Sequence, residues 1–246
     1  MKLSQAKNIV YQSLLSQTNL SAGRDALRVI AYLIGGAGLG KTSNVQQIVE
    51  EHEWMLYILS LAQFDAAELG GVICLVDGKA ERVMPHWLRK LWEMSEKCEV
   101  VVLFLDELPQ APVSNQNVAA QIVNERRIGE FKLPDNCAIV AAGNRTSDRA
   151  GTNTMPSHLK DRLMFLEIEA DLEDTIAYMV AHGVHQDVTG FLRARPEFLH
   201  KFDRDANASP SPRSWDRTGT ILTWGLDAVC EAEAIAGQVG RAACAD

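Results

Sequence analysis

The stretch Gly35-Gly36-Ala37-Gly38-Leu39-Gly40-Lys41-Thr42 sets four residues between Gly35 and Gly40, then a lysine, then a hydroxyl. Glycines let a backbone wrap so that several N–H groups face one anion, and a helix starting there adds the positive end of its dipole. A lysine beside such a cradle reaches the outer phosphates of a nucleoside triphosphate, and the next hydroxyl can hold Mg²⁺. The spacing predicts a P-loop, with Lys41 on the β- and γ-phosphates and Thr42 on the metal. Kinases of small molecules, switch GTPases, helicases and remodelling motors all use such a cradle, so other polar residues must decide among them.

Asp106-Glu107 is the second chemical signal. The pair ends an apolar run, VVVLFL, where a parallel sheet delivers side chains to a ligand crevice. Asp106 is suited to supporting a magnesium ion, and Glu107 to polarising an attacking water. An acidic pair capping a turn would leave the same letters. With the P-loop upstream, the second carboxylate tilts the chemistry from group transfer towards hydrolysis. Asn144, at the end of AIVAAGN, could orient the same water, although asparagine is also a common turn residue after a strand.

These residues need elements to hold them. Residues 2–17 place Leu3, Ala6, Ile9, Val10, Leu14 and Leu15 at helical spacing. Residues 28–34 (RVIAYLI) predict a buried strand running into the glycines, 42–51 a helix and 55–61 a second strand. A short helix is expected within 64–71. Residues 72–84 (VICLVDGKAERVM) read as a hairpin about Asp77-Gly78. An amphipathic helix over 85–98, a strand over 100–105, a helix over 117–125, a small hairpin over 127–133 and strands over 138–142 and 163–168 follow. Beyond Asp171 the pattern is helical, and 205–212 (DANASPSP) reads as a loop. Strands alternating with helices imply an α/β fold with a parallel five-stranded sheet. The expected division is an αβα nucleotide-binding core over 1–170 and a helical lid over 171–246.

Taken together, the chain resembles the AAA+ ATPases, more narrowly their MoxR-like and dynein-related branch. GGAGLGKT looks like Walker A, which brings Gly36, Ala37 and Leu39 into the nucleotide contact set with Gly35, Gly38, Gly40, Lys41 and Thr42. VVLFLDE looks like Walker B, with Asp106 beside Thr42 at the metal, and IVAAGN like sensor 1. MPSHLKDRLMFLEI is similar to the arginine-finger segment, which puts Arg162 in that role. SPRSWDR resembles sensor 2 of MoxR proteins, which puts Arg213 there. LAQFDAAELGG with the 72–84 hairpin looks like the insertion this branch carries in its second helix. The resemblance implies Mg-ATP, hydrolysis at subunit interfaces and a homo-oligomeric ring, a hexamer. It further implies a protein substrate or a separate adaptor, such as one carrying a von Willebrand factor A domain.

Each arginine also has a plainer reading. Arg162 could form a surface salt bridge with Asp161 or Glu167, and Arg126, Arg127, Arg145 and Arg149 are rivals for a contact in trans. Arg213 could simply cap its helix.

Composition narrows the classes. The 246 residues carry a formal charge of -8, which disfavours indiscriminate binding to nucleic acid or anionic membrane. No apolar run nears the roughly 20 residues of a membrane span, and MKLSQAKN lacks a leader's apolar core, so a cytoplasmic protein is expected. The five cysteines are scattered without a CxxC pair, and His182 with His185 lacks a third ligand, so neither disulfide nor metal framework is indicated. The tryptophans at 87, 92, 215 and 224 read as packing residues of amphipathic helices. Two other function classes stay open: a nucleic-acid-translocating motor, and a nucleotide-dependent scaffold that assembles without turnover. GTP in place of ATP is not excluded by any residue.

Overall fold

A computed structural model describes residues 1–18, 28–145, 153–203 and 206–244. Helix α1 (Leu3–Thr18) leads to strand β1 (Ile30–Gly35), helix α2 (Lys41–Glu51) and strand β2 (Met55–Ser60). A short helix α3 (Ala66–Gly70) precedes the β3 (Ile73–Val76) and β4 (Lys79–Arg82) hairpin, then helix α4 (His86–Ser95) and strand β5 (Val101–Asp106). Helix α5 (Val113–Glu125), the two-residue strands β6 (Arg127–Ile128) and β7 (Phe131–Lys132), and strand β8 (Cys137–Gly143) come next. Helix α6 (Ser157–Lys160) and strand β9 (Leu163–Ile168) complete the α/β part.

The five long strands form one parallel sheet with flanking helices, in the order β2-β5-β8-β1-β9. β5 is buried along Val101–Leu105 and β8 along its whole length, as interior parallel strands must be when both faces are covered. That explains their unbroken apolar letters. Leu103, Leu105 and Ile139 share a core with Leu88 and Leu91 of α4 and Ile122 of α5.

Helix α1 is anchored by polar atoms as well as apolar ones. Ala6, Val10 and Leu14 are buried on one stripe. Beside them Ser13 Oγ donates to Val29 O at 2.7 Å and accepts from Ala31 N. Gln17, only 1% exposed, donates through Nε2 to Ile139 O and accepts at Oε1 from Ile139 N, both at 2.7 Å. One amide side chain thus satisfies the β8 backbone at Ile139, outside the β1–β8 pairs, which run from Tyr32–Ala141 to Ile34–Gly143. Replacing Gln17 by leucine strands a buried N–H and C=O, each worth about 1–3 kcal/mol. A loss of about 3 kcal/mol corresponds to a melting temperature roughly 10 °C lower for a chain of this size, read by calorimetry.

Two expectations are corrected. α5 starts at Val113 rather than 117: Pro112 is its N-cap, in extended backbone at φ −53°, ψ 150°, and its carbonyl accepts from Asn115 N and Gln116 N. Trp224 lies past the end of helix α9 (Pro212–Ile221) and is 60% exposed, so it is no packing residue of that helix.

Compactness divides the chain into two units. One holds Lys7–Ile34 and Thr42–Glu167, hence the sheet and its hairpins. The other groups Met1–Ala6 and Gly35–Lys41 with everything from Ile168 onward. Its helices are α7 (Leu172–Ala181), α8 (Gln186–Ala194), α9, α10 (Ala228–Val239) and α11 (Arg241–Cys244). Met179, Leu192, Phe198, Trp215 and Val239 form its apolar cluster, and Trp215 Nε1 donates to Phe198 O at 2.8 Å. Lys2 pairs with Asp171 at 3.0 Å, and Ser4 N donates to Asp174 Oδ2, which ties the first residues to the start of α7.

Candidate functional site: a P-loop and an acidic strand end

Parallel pairing sets the geometry. Leu105 of β5 pairs with Ala141 of β8, and Tyr32 of β1 pairs with the same Ala141. Three neighbouring strands therefore end in step along one edge of the sheet. β1 leads into the glycine loop, β5 ends on Asp106 and β8 leads to Asn144. Because β8 lies between the other two, the strand bearing Asn144 separates the loop's strand from the acidic one. Strand spacing puts those two about 10 Å apart, with Asn144 between them.

Within the sheet unit, Thr42 Oγ1 donates to Asp106 Oδ2 at 3.3 Å. A hydroxyl and a carboxylate oxygen are hard donors of the kind Mg²⁺ selects, so this pair fits that ion. Glu107 comes next, half-buried and in the left-handed region at φ 57°, ψ 33°. For a side chain other than glycine or asparagine this backbone costs roughly 1 kcal/mol. The turn is over-determined: Glu107 N donates to Asp106 Oδ1, and Glu107 O accepts from Gln110 N and Ala111 N. The Glu107 backbone is thus fixed at a strand end, in the position next to the Thr42–Asp106 pair.

Gly143 carries the packing behind Asn144. A Cβ there would fall on the Pro109 ring and 2.6 Å from the Tyr32 hydroxyl, so only glycine lets the end of β8 pass the turn that follows Glu107. The sequence marks this residue only as part of a strand end.

In the second unit Lys41, 8% exposed, donates from Nζ to Gly35 O at 2.9 Å and Gly36 O at 2.8 Å. Its charge is held inside the loop by backbone dipoles. Gly38 has φ +77°, and a Cβ there would lie 2.7 Å from Ser211 Oγ. Arg213 N donates to Gly38 O at 3.2 Å. Ser211 and Ser214 cap α9 reciprocally, with Pro212 in its first turn. The first turn of α9 therefore sits directly on the phosphate loop, and the Arg213 side chain leaves from that contact, exposed. Ser211 is the residue the sequence reading missed. Its signal was a serine before proline, a helix-start pattern.

Arg162 follows the C-cap of α6, Asp161, and is exposed; its guanidinium makes no ion pair among the described residues, so the Asp161 and Glu167 alternative is not realised. Its rivals separate. Arg126 caps α5 at φ 53° and donates from Nη2 to Pro134 O at 3.0 Å and Cys137 O at 2.6 Å, a clamp within its own chain. Burial lowers its pKa from the ordinary arginine value. Arg127 pairs with Glu125 at 2.8 Å. Arg149 lies outside the described residues.

The five cysteines are free thiols, and burial pushes that of Cys137 up to about 12, so it stays neutral. No cluster of metal-ligating side chains occurs among the described residues, and His182 instead stacks on Tyr178. Among the described residues no helix is long and apolar enough to cross a membrane.

A parallel sheet whose first strand feeds a glycine loop and whose acidic strand lies one strand removed is a P-loop nucleoside triphosphatase fold. Residues 31–166, more than half of the chain, match the model of the ATPase family associated with various cellular activities (AAA), and the chain belongs to that family. Nucleotide binding is the chemistry of this fold. The chain is similar in structure to Thermotoga maritima RuvB, the Holliday junction branch migration motor, with TM-score 0.53 and 13% identity over 99% of this chain and 66% of that one. A point mutant of RuvB, an alanine changed to serine, gives TM-score 0.54 at 14% identity, covering 99% of this chain and 65% of its own. NtrX from Brucella abortus in complex with ADP gives 0.54 at 15% identity, covering 92% of this chain and 50% of its own. This chain thus spans less than two thirds of the RuvB mutant and half of NtrX. Comparison with curated protein sequences gives no match.

Proposed function

We propose that this chain is an ATP-hydrolysing, ring-forming motor of MoxR type that remodels a protein substrate or partner. The observation that carries the reading is the Thr42–Asp106 hydrogen bond with Glu107 fixed in the next position. A pair suited to a metal, followed by a second carboxylate on a fixed backbone, supports attack of water on a phosphoryl group.

In this reading residues 1–170 are the nucleotide-binding core and 171–246 the lid. The loop from Gly35 to Gly40, with Ala37 and Leu39 in its turn, wraps the phosphates, and Lys41 neutralises the outer ones. Thr42 and Asp106 hold Mg²⁺, which would supply charge stabilisation to the transferring group. Glu107 takes up the proton of the attacking water, and Asn144 orients that water from the middle strand. Arg213 answers the γ-phosphate from the lid, and the contact of α9 with Gly38 supports a lid that senses the loop. Arg162, exposed and without an ion pair among the described residues, reaches the nucleotide of a neighbouring subunit, as an arginine finger does. Adenine as the base, a hexameric ring, a separate adaptor with a von Willebrand factor A domain and a cytoplasmic setting follow the MoxR resemblance.

RuvB's work on Holliday junctions suggests the rival, a DNA motor. A formal charge of -8 has the wrong sign for a polyanion. ATP hydrolysis measured across protein concentration, with and without duplex DNA, tests both points. Activity per chain is expected to rise with concentration as rings assemble, to vanish in Lys41→Ala, and to ignore DNA. Constant activity per chain would overturn the ring. Stimulation by DNA that falls steeply with salt would transfer the assignment to nucleic acid.

A further inference from the structure

Glu107 keeps its left-handed backbone only while the turn behind it is held, because a strained conformation persists where its surroundings over-determine it. Gln110 N and Ala111 N close that turn onto Glu107 O. Two of its other carbonyls are met by a residue from a distant part of the chain. Asn153 N donates to Pro109 O at 2.6 Å, and Asn153 Nδ2 donates to Ala111 O at 2.9 Å. Gln116 Nε2, from the first turn of α5, donates to the same Ala111 O at 3.0 Å. The Pro109 ring also lies against Gly143, where a Cβ would collide with it.

Asn153 is exposed, yet its place is fixed. Just beyond it Met155 and Leu159 are buried in the core cluster that holds Leu105, Leu108 and Ala119. The core therefore anchors the segment without using the Asn153 side chain, which is left to serve the turn. Its backbone and its amide both donate to that one turn, which Glu107 opens. An asparagine suits the place chemically: its amide gives a proton to a carbonyl, whereas an ionised aspartate of the same shape only accepts.

We infer that Asn153 is a positioning residue for Glu107, holding the turn that sets the direction of the carboxylate. It acts through the Pro109 and Ala111 carbonyls rather than on the reacting atoms. The inference rests on the reading of Glu107 as the base and adds the residue that aims it.

The test measures single-turnover ATP hydrolysis, nucleotide affinity and melting temperature on the full chain. It compares the parent, Asn153→Ala and Asn153→Asp, each alone and combined with Glu107→Gln. Asn153→Ala is expected to slow hydrolysis roughly ten- to a hundredfold, the scale of a misplacement near 1 Å. Affinity and melting temperature stay near those of the parent, because the Thr42–Asp106 pair and the core are untouched. Asn153→Asp is expected to lose at least as much, since its carboxylate meets the Ala111 carbonyl with no proton to give. In the Glu107→Gln background both substitutions add almost nothing, because the group they misplace is already gone. Unchanged hydrolysis in Asn153→Ala, or an Asn153→Asp chain as active as the parent, would overturn the inference. So would a rate loss matched by a loss of nucleotide affinity or melting temperature, or an equal loss in the two backgrounds. A parent chain that hydrolyses no ATP, or one indifferent to Glu107→Gln, sinks the hydrolase reading. A chain that passes both checks yet is indifferent to Asn153→Ala sinks this inference alone.

Discussion

Glu107→Gln is expected to lower ATP turnover by roughly two to four orders of magnitude, the range a positioned general base contributes. Nucleotide affinity stays near that of the parent chain, because the phosphate cradle and the Thr42–Asp106 pair are untouched. The substitution is informative because it changes so little else. Glutamine has the shape of glutamate and meets the same backbone cost at φ 57°, and the bonds fixing the turn come from main-chain atoms and Asp106. What disappears is the negative charge that, in the proposed mechanism, takes up the proton of water. Single-turnover hydrolysis beside fluorescent-nucleotide binding separates the two effects. Equal turnover in both chains would remove Glu107 from the chemistry and leave a nucleotide-dependent scaffold.

Arg162→Ala is expected to cost roughly three to five orders of magnitude in turnover, as loss of an arginine finger does. Its fold should be intact, since the guanidinium is exposed and makes no ion pair among the described residues. The decisive measurement mixes two inactive chains. In a ring built from Arg162→Ala and Glu107→Gln subunits, some interfaces join a complete cradle on one subunit to a complete guanidinium on its neighbour. Those interfaces are expected to hydrolyse ATP, so that the mixture recovers activity that neither chain has alone. No recovery in particles shown to contain both chains would refute donation in trans. Recovery at dilutions where only single chains exist would refute the ring itself.

The two arginines differ in how they could be read. Arg162 and Arg126 are both arginines beside a turn in the sequence, and both were candidates for contact with a neighbour. Arg126 is consumed by Pro134 O and Cys137 O, carbonyls that reach it only because the chain folds back through the β6–β7 hairpin into β8. Arg162 meets no such partner among the described residues. Nothing in a window of letters separates these outcomes, since each depends on which distant backbone arrives beside the guanidinium. Gln17 makes the same point from inside the core. The spacing of α1 identified its apolar stripe, yet a glutamine on that helix was an ordinary polar residue until Ile139, far along the chain, proved to need both of its amide atoms.

The sequence by itself determined whatever is carried by consecutive residues. The glycine loop, the acidic pair ending an apolar strand and the Asp77-Gly78 hairpin are legible because the backbone freedom or turn chemistry they need belongs to the residues themselves. Fully apolar runs likewise announced β5 and β8, because a strand covered on both faces has no polar position to spare. Only the tertiary structure decided the order β2-β5-β8-β1-β9, and with it the place of Asn144 between the loop's strand and the acidic strand. It also decided that the first turn of α9 rests on Gly38, that Gly143 must clear Pro109, and that Glu107 is held in a left-handed turn. Strand order and close approach arise from packing between segments far apart in the chain, and their energy resides in contacts that exist only once those segments have met.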